Sequence, residues 1–293
     1  MRKPFVITVA ALALAATASP ALAATATSAT SATSASVHVS VQGQPQGRYW
    51  YVKSVYTATH ARQVGVKEKY WVVQERVTEH WADHSGAMWS SSSDQARPKS
   101  AADLAAWKRD GSPQKWTYRT EGMLVKLTAT PHRTPVKPMR GSDWLIGERK
   151  LSFQEIQSLP TTPEGLRDWL VKASAVGEDP VLPENFDSWV KRAYESLLYR
   201  LPAPKPVRTA AYQALSGLPG VRSAKLSGDT VKLTYGYTSE ETEARFGVVV
   251  DTGSMAVVET SVDTLRDGKP FKAKTSVTKY ESSWTDTLGV ATS

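Results

Sequence analysis

The sequence predicts an α+β protein in which one curved antiparallel sheet, a half-barrel, packs on central α-helices. Two observations carry this prediction. Residues near both ends of the chain alternate with the period of strands, whereas residues in the middle repeat with the period of a helix. Because strands both precede and follow the helices, one sheet built from the two ends would give the helices a face to cover. Two separate domains are the alternative.

The chain begins with a predicted secretory signal peptide, residues 1–23. Arg2 and Lys3 precede an apolar run over 5–18, which is shorter than the roughly 20 residues that a spanning helix needs. Small residues follow and end at Ala23. We therefore expect cleavage after Ala23 and a secreted, extracytoplasmic protein with no transmembrane span. An uncleaved N-terminal anchor is the alternative.

A flexible leader is expected to follow over residues 24–36, which contain only Ala, Ser and Thr. The folded part should then be a single domain over 37–285. The 293 residues include no cysteine, which excludes disulfides, thiol catalysis, thiolate metal sites and a lipid anchor on cysteine. The net charge is +8 and falls by two when the signal peptide leaves. An exported basic protein favours anionic envelope polymers or lipids over nucleic acid as partners.

The N-terminal strands are expected over about 37–128. Residues 49–56 are rich in aromatic and β-branched side chains, which is typical of a strand. In the next strand, polar residues alternate with apolar ones. The apolar residues would form one face of the strand, which we expect to be buried: Trp71, Val73, Val77 and Trp81. The sequence also predicts a turn over 90–93, a short helix over 101–108 and a strand over 123–128.

Helices are expected over about 152–216. Two capping boxes mark helix starts, one from Ser152 to Glu155 and one from Thr161 to Glu164. The strongest helix should run over 183–201. Its apolar stripe at helical spacing consists of Phe186, Trp189, Val190, Ala193, Tyr194, Leu197, Leu198 and Leu201. A further helix is expected over 207–215.

A meander of strands is expected over about 221–280, because turn signals recur at short intervals there. The predicted strands lie near 221–227, 230–238, 244–250, 255–263 and 270–280. Tyr235 and Tyr237 would share one face of the second of these strands.

Several blocks of the sequence resemble an actinobacterial family of exported or membrane-anchored proteins of unknown function. The blocks are 49–52, the stretch from Leu151 to Leu170, 208–212, 214–221 and 250–253. This family is similar in layout to the lipoprotein-carrier (LolA-like) half-barrels and to the periplasmic sigma-factor regulators of that fold. The resemblance implies a curved sheet around helices and a cavity that can hold acyl chains. It implies no catalytic residue.

The candidate ligand cavity would be lined by aromatic and apolar side chains on strand faces. The candidates are Trp50, Trp71, Val73, Trp81, Tyr235 and Tyr237. Large rings with one polar atom suit an amphiphile. The competing interpretation is ordinary core packing.

The densest set of potential metal ligands is His80, Asp83 and His84. Two histidines and a carboxylate can hold zinc, but a solvated loop is the simpler explanation of so short a motif. No nucleophile-elbow or phosphate-binding glycine motif occurs. We therefore expect no catalytic residue, no metal site and no cofactor.

The sequence thus favours a non-enzymatic envelope protein that binds a lipid or another amphiphile. One alternative is an envelope-sensing regulatory module that acts through a protein partner, and a weaker one is a metal-assisted hydrolase. An anionic envelope polymer is a further candidate partner. The protein surface that binds such a polymer would consist of the basic residues Lys99, Lys108, Arg109, Arg133, Lys137 and Arg140.

Overall fold

The computed structural model describes residues 47–59, 62–120, 123–140, 144–176, 180–238, 243–266 and 269–289. These residues all belong to one compact unit of the chain. The predicted signal peptide and leader, 1–23 and 24–36, lie outside the described residues. No helix in the described part is both long and apolar enough to cross a membrane.

Strands from both ends of the chain form one nine-stranded antiparallel sheet, so the predicted α+β class is confirmed. The strands of the protein are β1 (Tyr49–Thr59), β2 (Val72–Asp83), β3 (Met88–Pro98), β4 (Lys115–Thr120), β5 (Met123–Thr128), β6 (His132–Pro138), β7 (Trp144–Ile146), β8 (Arg149–Leu151), β9 (Arg222–Lys225), β10 (Thr230–Thr238), β11 (Glu243–Asp251), β12 (Ala256–Arg266) and β13 (Lys269–Thr285).

The order of the main sheet is β6-β3-β2-β1-β13-β12-β11-β10-β9. The N-terminal and C-terminal strands meet where β1 pairs with β13, from Tyr49 opposite Thr285 to Ala58 opposite Ser276. The remaining strands form two separate hairpins, β4–β5 and β7–β8. The long β1–β13 ladder makes the two halves of the sequence one structural layer.

The central helices follow the predicted stripes and caps. They are α1 (Ala101–Arg109), α2 (Phe153–Gln157), α3 (Pro163–Ser174), α4 (Phe186–Glu195) and α5 (Lys205–Ser216). A 3₁₀ turn over Pro183–Asn185 precedes α4, and a π-helical segment over Ser196–Arg200 continues it. All members of the predicted stripe except the partly buried Phe186 are buried.

One helix start differs from the prediction. The Ser152–Glu155 capping box is present, with both reciprocal hydrogen bonds formed. The cap of α3, however, is Thr162, and its hydroxyl accepts a hydrogen bond from the backbone N–H of Gly165. Pro163 occupies the first helical position, where its fixed φ suits the helix and its missing N–H is not needed. Thr161 therefore lies one residue before the cap.

The predicted turn over 90–93 is wrong, because these serines lie within β3. The turn between β2 and β3 forms earlier, where Asp83 accepts hydrogen bonds from the backbone of Ser85 and Ala87. An aspartate at this position stabilises the turn through its own side chain. Serine hydroxyls are compatible with a strand whose partner supplies acceptors, and Ser91 Oγ donates to Glu79 on β2.

The hydrophobic core lies between the main sheet and the helices. Its sheet side includes Trp50 and Val52 of β1 and Leu233 of β10, and its helix side includes Val190 and Leu198. A smaller cluster around Tyr70 and Trp116 lies under α1 and the β4–β5 hairpin. We call the sheet face that contacts the helical core the inner face.

Candidate functional site

The inner face of β1 and β2 is set by their register. Trp50 lies opposite Ala82, and Val52 lies opposite His80. Because side chains alternate along a strand, the even-numbered residues of both strands share this face. Trp50, Val52 and Ala82 belong to the helical core, which identifies the even-numbered face as the inner one.

A cavity of about 280 Å³ lies against this part of the inner face. Its apolar and aromatic lining consists of Trp50, Val52, Trp81, Ala82, Met88, Met139, Trp144, Tyr199 and Tyr280. Its polar lining consists of Ser54, His80 and Arg200. The volume is at the small end of the 300–1,000 Å³ range of ligand pockets. We call it the aromatic cavity.

The cavity exists because β1 and β2 place small or polar side chains where the rest of the inner face carries aliphatic ones. Ser54, His80 and Ala82 occupy this region. On β10 and β11, by contrast, Leu233 and Val250 are fully buried in the core. Small side chains leave space that larger aliphatic side chains would fill, and the helices do not fill it at this end of the sheet.

Two aromatic side chains fix one wall of the cavity. The indole Nε1 of Trp50 donates a 3.1 Å hydrogen bond to the backbone carbonyl of Arg200. Its ring also meets that of Trp284 edge-on, with centroids 5.5 Å apart. These contacts connect β1 to the end of the π-helical segment and hold Trp50 in one orientation.

Trp144, a lining residue of the cavity, carries a buried polar atom without a partner. Its side chain is 2% exposed and lines the aromatic cavity. Its Nε1 is buried and makes no hydrogen bond to any residue in the described part of the chain. A buried N–H that has lost its water and found no acceptor is unfavourable by about 1–3 kcal/mol. Native proteins rarely leave such a donor without an ordered water or a ligand.

The charges around the cavity are mainly positive. Arg200 is exposed at the end of the π-helical segment and also lines the cavity. Burial lowers the pKa of His80, and the positive charge of Arg200 lowers it further. Tyr199 and Tyr280 are hydrogen-bonded, and burial raises the pKa of Tyr199, which favours its neutral form. No carboxylate lines the cavity in the part of the chain that the structure describes.

The six residues predicted to line a cavity do not form one site. Trp50 lies in the cavity wall. Trp81 borders the cavity, but its ring packs against Tyr51 at 5.3 Å, on the opposite face of the sheet. By alternation Val73 faces the same way as Trp81, and Trp71 precedes β2. The face of β2 that the sequence suggested as buried is therefore not the face that lines the cavity.

The two tyrosines of β10 lie elsewhere. Tyr235 is buried in the helical core, where its hydroxyl donates to Glu195 and its ring stacks on Phe246. It is absent from the cavity lining. The backbone of Tyr237 belongs to β10, but its side chain lies outside the described residues.

The three candidate metal ligands, at the end of β2 and the start of the turn that follows it, contact different groups. His80 faces the cavity, Asp83 stabilises the turn, and His84 stacks on Phe153 with ring centroids 4.5 Å apart. Across the described ranges, no group of three or more His, Cys, Asp or Glu side chains stands close enough to hold a metal ion.

Sequence reasoning missed Trp144, Tyr199, Arg200 and Tyr280. Trp144 was visible as one of ten tryptophans, but the three-residue strand β7 is too short to show a period. Arg200 lies between Leu198 and Leu201 of the apolar stripe, where an exposed polar position on the helix is the simpler expectation, and it belongs to the π-helical segment. No local pattern distinguishes these residues from their neighbours.

No protein-family model matches this chain, and no curated protein matches its sequence.

Proposed function

We propose that the protein is an exported, non-enzymatic envelope protein that binds an anionic amphiphile in the aromatic cavity. The apolar tail lies against Trp50, Val52 and Ala82, and the anionic group contacts Arg200 at the cavity rim. The unpaired indole N–H of Trp144 is the observation that carries the proposal, since an acceptor on the ligand would satisfy it.

The sign of the ligand follows from the charged groups. Arg200 lines the cavity, and no carboxylate does so within the described ranges. A guanidinium binds carboxylates and phosphates through paired hydrogen bonds. The small volume limits the tail to a short or partly inserted alkyl chain.

The proposal includes the curved half-barrel. Three interruptions of register support it, between Ser90 and Ser92, Val249 and Val250, and Asp263 and Leu265. Such bulges bend strands and increase their twist. An experimental structure with a flat sheet would contradict this part of the proposal.

The test is a calorimetric titration of the protein with decanoate, decanol and decyltrimethylammonium. We expect decanoate to bind, decanol to bind about tenfold more weakly, and the cationic probe not to bind, since about 1.4 kcal/mol corresponds to a factor of ten. Failure of decanoate to bind at millimolar concentration would overturn the proposal.

The variant Trp144→Phe tests whether the indole N–H of Trp144 binds the ligand. It removes the N–H and keeps an aromatic ring, so we expect decanoate affinity to fall by about tenfold or more, because a hydrogen bond to a charged group contributes about 1.5–3 kcal/mol. Thermal unfolding serves as the folding control. A matched control is Trp169→Phe, because Trp169 lies under Arg149 and outside the cavity. Equal affinities of wild type and Trp144→Phe would show that the N–H does not contact the ligand.

A further inference from the structure

A second hollow of about 470 Å³ adjoins the aromatic cavity. The two share Tyr199 and Arg200 as lining residues. The hollow extends along α4 to Trp189 and Arg192, and the β7–β8 turn lies beside it. At that turn Gly147 has φ +59°, and a Cβ there would stand 2.8 Å from Trp189 Nε1. The close approach of turn and helix thus requires glycine.

Two arginines give the hollow its charge. Arg192 and Arg200 both line it and are both exposed. Neither guanidinium makes a hydrogen bond or an ion pair with any residue that the structure describes. Eight residues separate them along α4 and the π-helical segment, which is roughly 12 Å at the rise of a helix. Two anionic or strongly accepting groups could therefore be bound at separate points.

The one carboxyl group lining the hollow does not cancel this charge. Glu195 accepts a hydrogen bond from Tyr235 Oη on β10. Burial raises the pKa of Glu195, whereas the hydrogen bond from Tyr235 and the positive charge of Arg192 act in the opposite direction. One carboxyl group therefore lies beside two guanidinium groups, so the lining of the hollow keeps an excess of positive charge.

We infer that this hollow binds the head group of a phospholipid whose tail occupies the aromatic cavity. Arg200, at the shared wall, contacts the phosphate next to the tail, and Arg192 contacts acceptor oxygens farther along the head group. The inference rests on the proposed function, because the tail must occupy the aromatic cavity for the head group to reach the hollow. It adds the chemical class of the ligand: a lipid with a phosphate and a sizeable polar head, not a simple fatty acid.

The test compares decanoate with decanoyl-lysophosphatidylglycerol, each titrated below its critical micelle concentration into wild type, Arg192→Gln and Arg200→Gln. We expect Arg192→Gln to weaken the lysophospholipid about tenfold and to change decanoate affinity less than twofold. Arg200→Gln should weaken both ligands. Lys172→Gln, which removes the same charge from an exposed position on α3, should change the affinity for neither ligand.

The outcomes separate the two proposals. If decanoate binds but Arg192→Gln affects both ligands equally or neither, the head-group assignment is wrong and the proposed function stands. If neither ligand binds wild type, the proposed function itself fails. If Lys172→Gln lowers the affinity for the lysophospholipid as much as Arg192→Gln does, the effect comes from net charge alone and the inference is overturned.

Discussion

The two halves of the inner face meet the same helical core in different ways. On the C-terminal strands, Leu233, Val248 and Val250 are almost completely buried and fill the space beneath the helices. On β1 and β2, Ser54, His80 and Ala82 border a cavity of about 280 Å³. The C-terminal strands therefore stabilise the fold by dense packing, whereas β1 and β2 are less densely packed and leave space in which a ligand can be bound.

The largest expected effect is in the densely packed half. Leu233 has no exposed surface, so Leu233→Ala should lower the free energy of unfolding by about 2–5 kcal/mol, the usual result of emptying a core site. Urea denaturation measures the loss. Thr234→Ala, at the next and only partly buried position of β10, is the control and should have a much smaller effect. A loss below about 1 kcal/mol for Leu233→Ala would contradict dense packing there.

An intermediate effect is expected where the cavity is filled. Ala82→Leu places a larger apolar side chain in the cavity wall, so decanoate affinity should fall at least about tenfold while stability falls by less than the about 1–3 kcal/mol that is typical of overpacking. Calorimetric titration and urea denaturation measure the two effects.

The matched control is Ala96→Leu in the smaller cluster, where Ala96 is 2% exposed and borders no described cavity. Overpacking at such a site is unfavourable by about 1–3 kcal/mol. If Ala82→Leu destabilises the protein as much as Ala96→Leu, the space beside Ala82 is not available to a ligand.

The smallest effect concerns pH. The pKa of His80 is below its ordinary value of 6.5 because of burial and of Arg200. The unfolded chain therefore binds the proton first, and stability falls as the pH drops through 6.5 towards the lower folded pKa. Above 6.5 both states are neutral at this residue, so His80 contributes no pH dependence there.

Urea denaturation at pH 7.5 and at pH 5.5 checks the sign. His80→Gln should show a smaller loss of stability between these values than wild type does. A bound anion would raise the pKa of His80, so decanoate should bind more tightly to wild type at pH 5.5, provided that the probe remains ionised. Identical pH profiles of the two proteins would show that His80 is accessible to water in the folded state.

Much of the architecture could be predicted because it depends on local signals. The stripe from Trp189 to Leu201 requires a buried helix face, and Ser152 with Glu155 satisfies the free amides of a helix start. The turn over 90–93 was misplaced because serine is common in turns, whereas the actual turn depends on Asp83. The cap of α3 was off by one residue because two threonines in succession both fit the pattern.

The candidate site was predictable only in part. Alternation along β2 separates its side chains into two sets, but it does not say which set faces the helices. The apolar set with Val73 and Trp81 was the natural choice for a cavity, yet pairing with β1 places His80 on the inner face. Trp50 was identified because its strand is rich in aromatics, which points to burial on whichever face is covered.

The sequence by itself determined the α+β class, the succession of a strand-rich, a helical and a second strand-rich region, and the buried face of α4, because period, caps and turns are properties of neighbouring residues. Only the tertiary structure decided that β1 pairs with β13, that the polar face of β2 looks inward, and that Trp144 and Arg200 meet at one cavity. These features depend on contacts between residues far apart in the chain, and such contacts produce no periodic pattern in the sequence of either partner.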